Sequence, residues 1–185
     1  LVRRAGSPSA AQSLLPRHDG LWVGGVGGVT RMHAGGTQFL PLPAEAANAA
    51  VTRLVEAQGR LWAGTSAGLY RREGDSWQAA TDSPQLQNSP TTMLLEDRAH
   101  NLWVGCNDGL ARIRDGVVVE FVSNDSPGAF RGVVTAFQDR EGNLWFSSLW
   151  SGVFRLGGEQ FTNYTRASGL PDGTIVGLGE TPDRA

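Results

Sequence analysis

"REGNLWFSSLWSGVFRL", residues 140 to 156, sets two tryptophans and two glycines among β-forming residues, the pattern of two short strands around a tight turn. Nearly the same message occurs three more times, as DGLWVGGVGGVTRM from Asp19, GRLWAGTSAGLYRR from Gly59 and HNLWVGCNDGLARI from His100. The Leu-Trp pairs stand at Leu21-Trp22, Leu61-Trp62, Leu102-Trp103 and Leu144-Trp145, so the tryptophans are 40, 41 and 42 residues apart. A Gly-preceded aliphatic follows seven residues after the first three tryptophans and eight after the fourth, at Val29, Leu69, Leu110 and Val153. A period of this length decides the fold before any site chemistry is considered.

Each unit reads as four strands, a to d, of about four to six residues. Strand a is the β-rich run before the tryptophan, such as Val51 to Val55, Thr91 to Leu95 and Val133 to Phe137, and Phe39, Trp77, Phe121 and Phe161 mark strand d. Between a and b stand Gly20, Gly59, His100 and Gly142-Asn143. A turn there needs positive φ, which glycine supplies freely and which Asn and His tolerate better than most residues. No stretch has sustained helical periodicity with caps. The chain is therefore expected to be all-β, built from β-propeller blades of four antiparallel strands. The repeats run approximately over residues 10–43, 49–83, 90–124 and 132–166, with 173–180 as the start of the next, so that Thr174 to Glu180 is the first strand of a fifth blade after four complete ones. Trp22, Trp62, Trp103 and Trp145 are expected to be equivalent and buried between blades, since a buried aromatic of this size removes roughly 150 to 250 Å² from water.

The whole chain agrees with this reading and narrows the function. At 185 residues with 40% hydrophobic residues it can build a core, and its 25 glycines imply many tight turns. The formal charge is −2 and all sixteen basic residues are Arg, scattered rather than gathered in a stripe, which argues against nucleic acid as a partner. The single cysteine, Cys106, has no intramolecular disulfide partner and is read as a small buried thiol. No apolar run reaches the roughly 18 residues of a membrane span, so direct membrane insertion of this segment is not expected. The opening residues lack a signal-peptide centre, and because Leu1 rather than Met stands first the sequence reads as an excised piece.

The repeats resemble the two-component regulator propeller family, whose unit runs approximately D-x-x-G-N-L-W-x-G-T-x-x-G-L. DREGNLWFSSLWSGVFRL from Asp139 and DRAHNLWVGCNDGLARI from Asp97 match well, RHDGLWVGGVGGVTRM is more degenerate, and FTNYTRASGLPDGTIVGLGE from Phe161 looks like the outer strand, G-L-P turn and next inner strand. The resemblance covers about residues 15 to 180. It implies a fragment of a seven-bladed propeller that serves as the periplasmic sensor region of an inner-membrane two-component or diguanylate cyclase protein. The expected activity is detection of a ligand, often carbohydrate-derived, with no catalysis in this segment and no cofactor. Kinase helices, nucleotide-binding glycine boxes and a G-G-D-E-F stretch are all missing from the sequence.

Propellers generally bind at the face that carries the d-to-a and b-to-c connections. In this register that face holds Asn48, Asn88, Phe130, Arg131, Trp150 and Asp172. The fourth b-to-c turn has one extra residue and puts Trp150 at its tip, next to the strand that Phe130 and Arg131 enter. Trp150, Arg131 and Phe130 are therefore the candidate ligand-binding residues, either as a sugar-stacking or anion-recognising group, or with Trp150 covering a neighbouring blade and Arg131 solvated. Two alternatives remain open. One is a propeller enzyme similar to streptogramin lyases, which depend on histidine and a metal. His18 and His100 map to the opposite face and His33 follows strand c, so no catalytic or metal-binding group is expected. The other is a protein-binding scaffold. Open blade faces at both ends also predict self-association, with two chains closing head to tail into a ring of about eight blades.

Overall fold

The computed structural model of the protein describes residues 10–80, 83–125, 130, 132–171 and 175–181. The chain divides into two compact units, residues 1–91 and 92–185. In the first, β1 (Ser13–Arg17), β2 (Gly20–Gly25), β3 (Gly28–His33) and β4 (Gly36–Pro41) form one antiparallel sheet, and β5 (Val51–Ala57), β6 (Arg60–Thr65), β7 (Gly68–Glu73) and β8 (Ser76–Ala79) form a second. In the second unit the sheets are β9 (Thr91–Glu96), β10 (Leu102–Cys106), β11 (Gly109–Arg114) and β12 (Val117–Ser123), then β13 (Val133–Gln138), β14 (Leu144–Ser148), β15 (Gly152–Gly157) and β16 (Gln160–Tyr164). Each sheet is a meander in chain order. Among the described residues helix is confined to α1 (Pro84–Gln87) and to single 3-10 turns at Ala44–Ala46 and Arg166–Ser168. The architecture is that of four β-propeller blades.

The turns follow the local chemistry. Gln58 and Gly59 take φ of 54° and 68° in the two-residue β5–β6 turn, and His100 and Gly142 take 59° and 89° in the longer β9–β10 and β13–β14 turns. Across the ladder, each tryptophan of the second strand stands opposite an arginine of the third: Trp22 with Arg31, Trp62 with Arg71, Trp103 with Arg112 and Trp145 with Arg155. The guanidinium carbons of Arg31, Arg112 and Arg155 lie 5.7, 5.5 and 5.8 Å from their indole centroids, within cation–π reach. The extra residue of the fourth repeat is contained in the Leu149 to Ser151 turn, so the Trp145–Arg155 pairing is kept.

Within each unit the tryptophan face of the first sheet is covered by the second sheet. Trp22, Val29 and Leu40 share one core with Val51, Leu61, Ala63 and Tyr70. Trp103 lies 5.3 Å from Phe146 in a core with Met93, Leu110, Val133 and Phe154. The glycine two residues after the tryptophan lets the next sheet approach: a Cβ on Gly24 would stand 2.7 Å from Val51, and one on Gly105 3.1 Å from Val133.

The indole nitrogens are held from the a-to-b turns. Trp103 Nε1 donates to Asp97 Oδ2 at 2.8 Å, while the same carboxylate accepts from the backbone N–H groups of Ala99 and Asn101 and from Asn101 Nδ2. Asp139 accepts from Trp145 Nε1 and from both amide groups of Asn143 in the same way. Trp22 Nε1 donates to Asp19, and Trp62, whose turn has no aspartate, donates to the Ala57 carbonyl at 2.9 Å. Burial alone would raise the Asp97 pKa, but hydrogen bonds from Asn101 and Trp103 hold it below its ordinary value of 3.8. Asp139 is lowered by the same balance, with Trp145 and Asn143 as donors.

Two expectations are corrected. Trp22, Trp62 and Trp103 are buried, but Trp145 is only half-buried, because among the described residues no further sheet covers its face. Residues 175–180 are not a strand: none of them pairs in a ladder among the described residues, and a strand's backbone polar groups need such a partner. Thr174 lies outside the described residues. The segment still lies beside the fourth sheet, where Arg140 binds Glu180 at 3.3 Å and donates to the Thr181 carbonyl at 3.2 Å.

Urea unfolding is expected to place Trp103→Ala about 4 kcal/mol below the parent, with Trp145→Ala losing less than half as much because part of its ring already meets water. Asp97→Asn removes a charged acceptor of four hydrogen bonds and is expected to cost about 2 kcal/mol at pH 7. Because the folded pKa of Asp97 is depressed, its contribution is complete above the unfolded value and disappears as pH falls below about 3.8 through the folded one. Unfolding of Asp97→Asn followed from pH 7 to pH 2 is therefore expected to show a smaller acid loss than the parent.

Candidate functional site

The b-to-c turns and d-to-a connections leave the same end of each sheet, and in the second unit three of them converge. They are the Asn107-Asp108 turn between β10 and β11, the β12–β13 connection with Asn124-Asp125 at its start and Gly132 at its end, and the turn from Leu149 to Ser151. Around them is a cavity of about 590 Å³ lined by Asn107, Asn124, Asp125, Gly132 and Trp150.

Trp150 is 74% exposed, the most open large apolar side chain among the described residues. Its ring is nevertheless seated. A Cβ on Gly132 would lie 2.6 Å from Cζ3 of the indole, and Gly132 has φ of 63°, so this position requires glycine both for its conformation and for the ring above it. The turn carrying the ring is tied down: Leu149 N donates to the Gly132 carbonyl at 3.0 Å, and Ser148 Oγ accepts from the Trp150 and Ser151 amides. One surface of the indole is propped and the rest is open to solvent. Across the cavity, Asn124 N donates to the Asp108 carbonyl at 2.9 Å and Asn124 Nδ2 to the Asn107 carbonyl at 2.8 Å, which fixes the β10–β11 turn. Asn107 and Asp125 are exposed there. The result is a rigid apolar plate facing amide and carboxylate groups.

Of the residues expected at this site that are described, only Trp150 lines the cavity. Phe130 is 2% exposed and lies in the core, 4.2 Å from Phe154 and 4.8 Å from Phe161 between ring centroids, so its ring is not available to a ligand. It was expected at the surface from its place beside a turn, but the fourth sheet presents three further phenylalanines that draw it inward. Arg131 and Asp172 lie outside the described residues. Asn48 and Asn88 are exposed on the d-to-a connections of the first unit. Asn107, Asn124, Asp125 and Gly132 were missed, although the Asn-Asp doublets of GCNDGL and VSNDSP fall on a b-to-c turn and a d-to-a connection of one repeat.

His18 lies in the β1–β2 turn, His33 ends β3 and His100 lies in the β9–β10 turn, where its Nδ1 is 3.1 Å from Glu96. Among the described residues no group of three or more His, Cys, Asp or Glu is placed to hold a metal. Cys106 is buried in β10. No helix among the described residues is long and apolar enough to cross a membrane.

No family model matches the sequence, and no curated protein matches it. Solved structures do match the fold. The extracellular domain described as part of the hybrid two-component system BT3049 from B. thetaiotaomicron aligns with a TM-score of 0.75 and 20% identity over 91% of this chain and 24% of that one. The extracellular domain of BT4673 from the same organism aligns with a TM-score of 0.67 and 22% identity over 82% of this chain and 22% of that one. A selenomethionine-substituted virginiamycin B lyase from Staphylococcus aureus aligns with a TM-score of 0.64 and 15% identity over 83% of this chain and 55% of that one. The chain thus spans about a quarter of the length of the two extracellular domains and about half of the lyase.

Gly132→Ala is expected to lift the indole from its seat. In a ¹H–¹⁵N spectrum the Trp150 indole resonance is expected to shift, while those of Trp22 and Trp62 stay in place.

Proposed function

We propose that the chain is a ligand-sensing segment of an extracytoplasmic, periplasmic propeller in a two-component or related signalling protein, and that it binds carbohydrate at the Trp150 cavity without catalysing a reaction. The observation that carries this reading is the indole propped on Gly132 opposite Asn107, Asn124 and Asp125. A pyranose ring has C–H surfaces that suit an aromatic plate and hydroxyls at its rim that suit amide and carboxylate acceptors and donors. A fixed plate binds better than a free one, since the cost of ordering it has already been met by the fold. The likeness in fold to extracellular domains of two-component systems supports the sensing context. Each histidine lies at the end of its sheet opposite the b-to-c turns, which supports a non-catalytic role over a lyase-like one.

Titration of the chain against a panel of neutral and acidic oligosaccharides by calorimetry is the test. Binding of at least one glycan is expected, and Trp150→Ala is expected to weaken it about tenfold, equivalent to about 1.4 kcal/mol. Undiminished affinity in Trp150→Ala would remove the site, and no binding across the panel would remove the ligand class.

A further inference from the structure

The polar side of the Trp150 cavity is richer in acceptors than in donors. Asn124 gives one Nδ2 hydrogen to the Asn107 carbonyl at 2.8 Å, which leaves it one amide hydrogen and Oδ1. Asn107 adds an amide with two hydrogens and one oxygen, while Asp125 brings two carboxylate oxygens, about four lone-pair sites, and no donor. Asp125 is the only ionisable side chain among the described residues that line the cavity, and a second carboxylate, Asp108, is exposed in the same turn as Asn107. The carboxylate is carried on fixed backbone. Asp125 N donates to Ser123 Oγ at 3.2 Å, and Asn124 is tied to the β10–β11 turn through both its backbone N–H and its side chain. A negative group is thereby held facing the indole.

Resting on the carbohydrate reading of this cavity, we propose that it takes neutral or amino sugars and rejects acidic ones, and that Asp125 sets this specificity. A sugar hydroxyl or ammonium group donates to the surplus oxygens, whereas a uronate carboxylate or a sulfate is acceptor-only and has the same sign of charge as Asp125. Placing like charges against each other is a general means of excluding a wrong partner. Stacking on Trp150 is open to both kinds of sugar, so the indole supplies affinity and the carboxylate supplies choice. The anion-recognising alternative drew on Arg131, which lies outside the described residues.

Calorimetric titration of the 185-residue chain with trisaccharides of glucose, mannose and galactose, each beside the uronate made by oxidising its primary hydroxyls, tests it. In every pair that binds, the uronate is expected to bind at least about tenfold more weakly than its neutral partner. The gap is expected to narrow between about 0.01 and about 1 M NaCl, as the screening length falls from about 30 to about 3 Å. Asp125→Asn keeps the shape of the side chain and the backbone bond to Ser123, and is expected to close most of the gap, whereas Trp150→Ala weakens both members of a pair alike. A glucosamine trisaccharide is expected to bind at least as tightly as the glucose one and to lose more on Asp125→Asn. A uronate bound as tightly as its neutral partner, or a gap that Asp125→Asn leaves unchanged, overturns the proposal and leaves the carbohydrate reading standing. Absence of binding by every sugar overturns both.

Discussion

An indole on the second strand of every sheet has to be taken out of water, and a sheet four strands wide cannot fold back over its own face to do so. The neighbouring sheet therefore becomes an obligatory part of each blade's core, which is why Trp22 shares a cluster with Leu61 and Tyr70, and Trp103 with Phe146. This dependence accounts for the glycine after the tryptophan, since without a close approach at Gly24 and Gly105 the indole would be covered only loosely. It also explains why Trp145 alone remains half-buried.

The polar end of the indole imposes a second condition. Buried N–H groups need acceptors, and the a-to-b turns supply them in two ways: an aspartate that also gathers the turn's own amides in the third and fourth repeats, and a backbone carbonyl in the second. Where the aspartate is present, Asn101 and Asn143 extend the network through Oδ1 to Arg114 and Arg155. Turn, indole and third-strand arginine are thus locked together from one side chain, and the depressed pKa of Asp97 is the electrostatic record of that arrangement.

Most of this fold is legible in the sequence, because its signals are local and recur. The Leu-Trp spacing, the turn glycines and the positive φ of His100 all follow from residues within one repeat. What is not legible depends on residues brought together across ladders and between sheets. The nine- or ten-residue offset from each tryptophan to its arginine is visible only once strand register is known. Phe130 was misjudged because its position beside a turn suggested the surface, whereas Phe146, Phe154 and Phe161 draw it inward. Trp150 was found through the one irregularity in repeat length, but the site it forms with Gly132 and the facing Asn107, Asn124 and Asp125 draws on three separate connections.

The single inserted residue of the fourth repeat has a wider meaning for how such a molecule changes over time. The turn from Leu149 to Ser151 absorbs the insertion completely, and the pairing from Leu144–Leu156 to Ser148–Gly152 continues without a slip. Novelty at the loop end therefore leaves the architecture untouched. Blades of this kind can be lengthened, shortened or exchanged at that rim by small genetic steps, so that surface chemistry evolves separately from the scaffold that displays it.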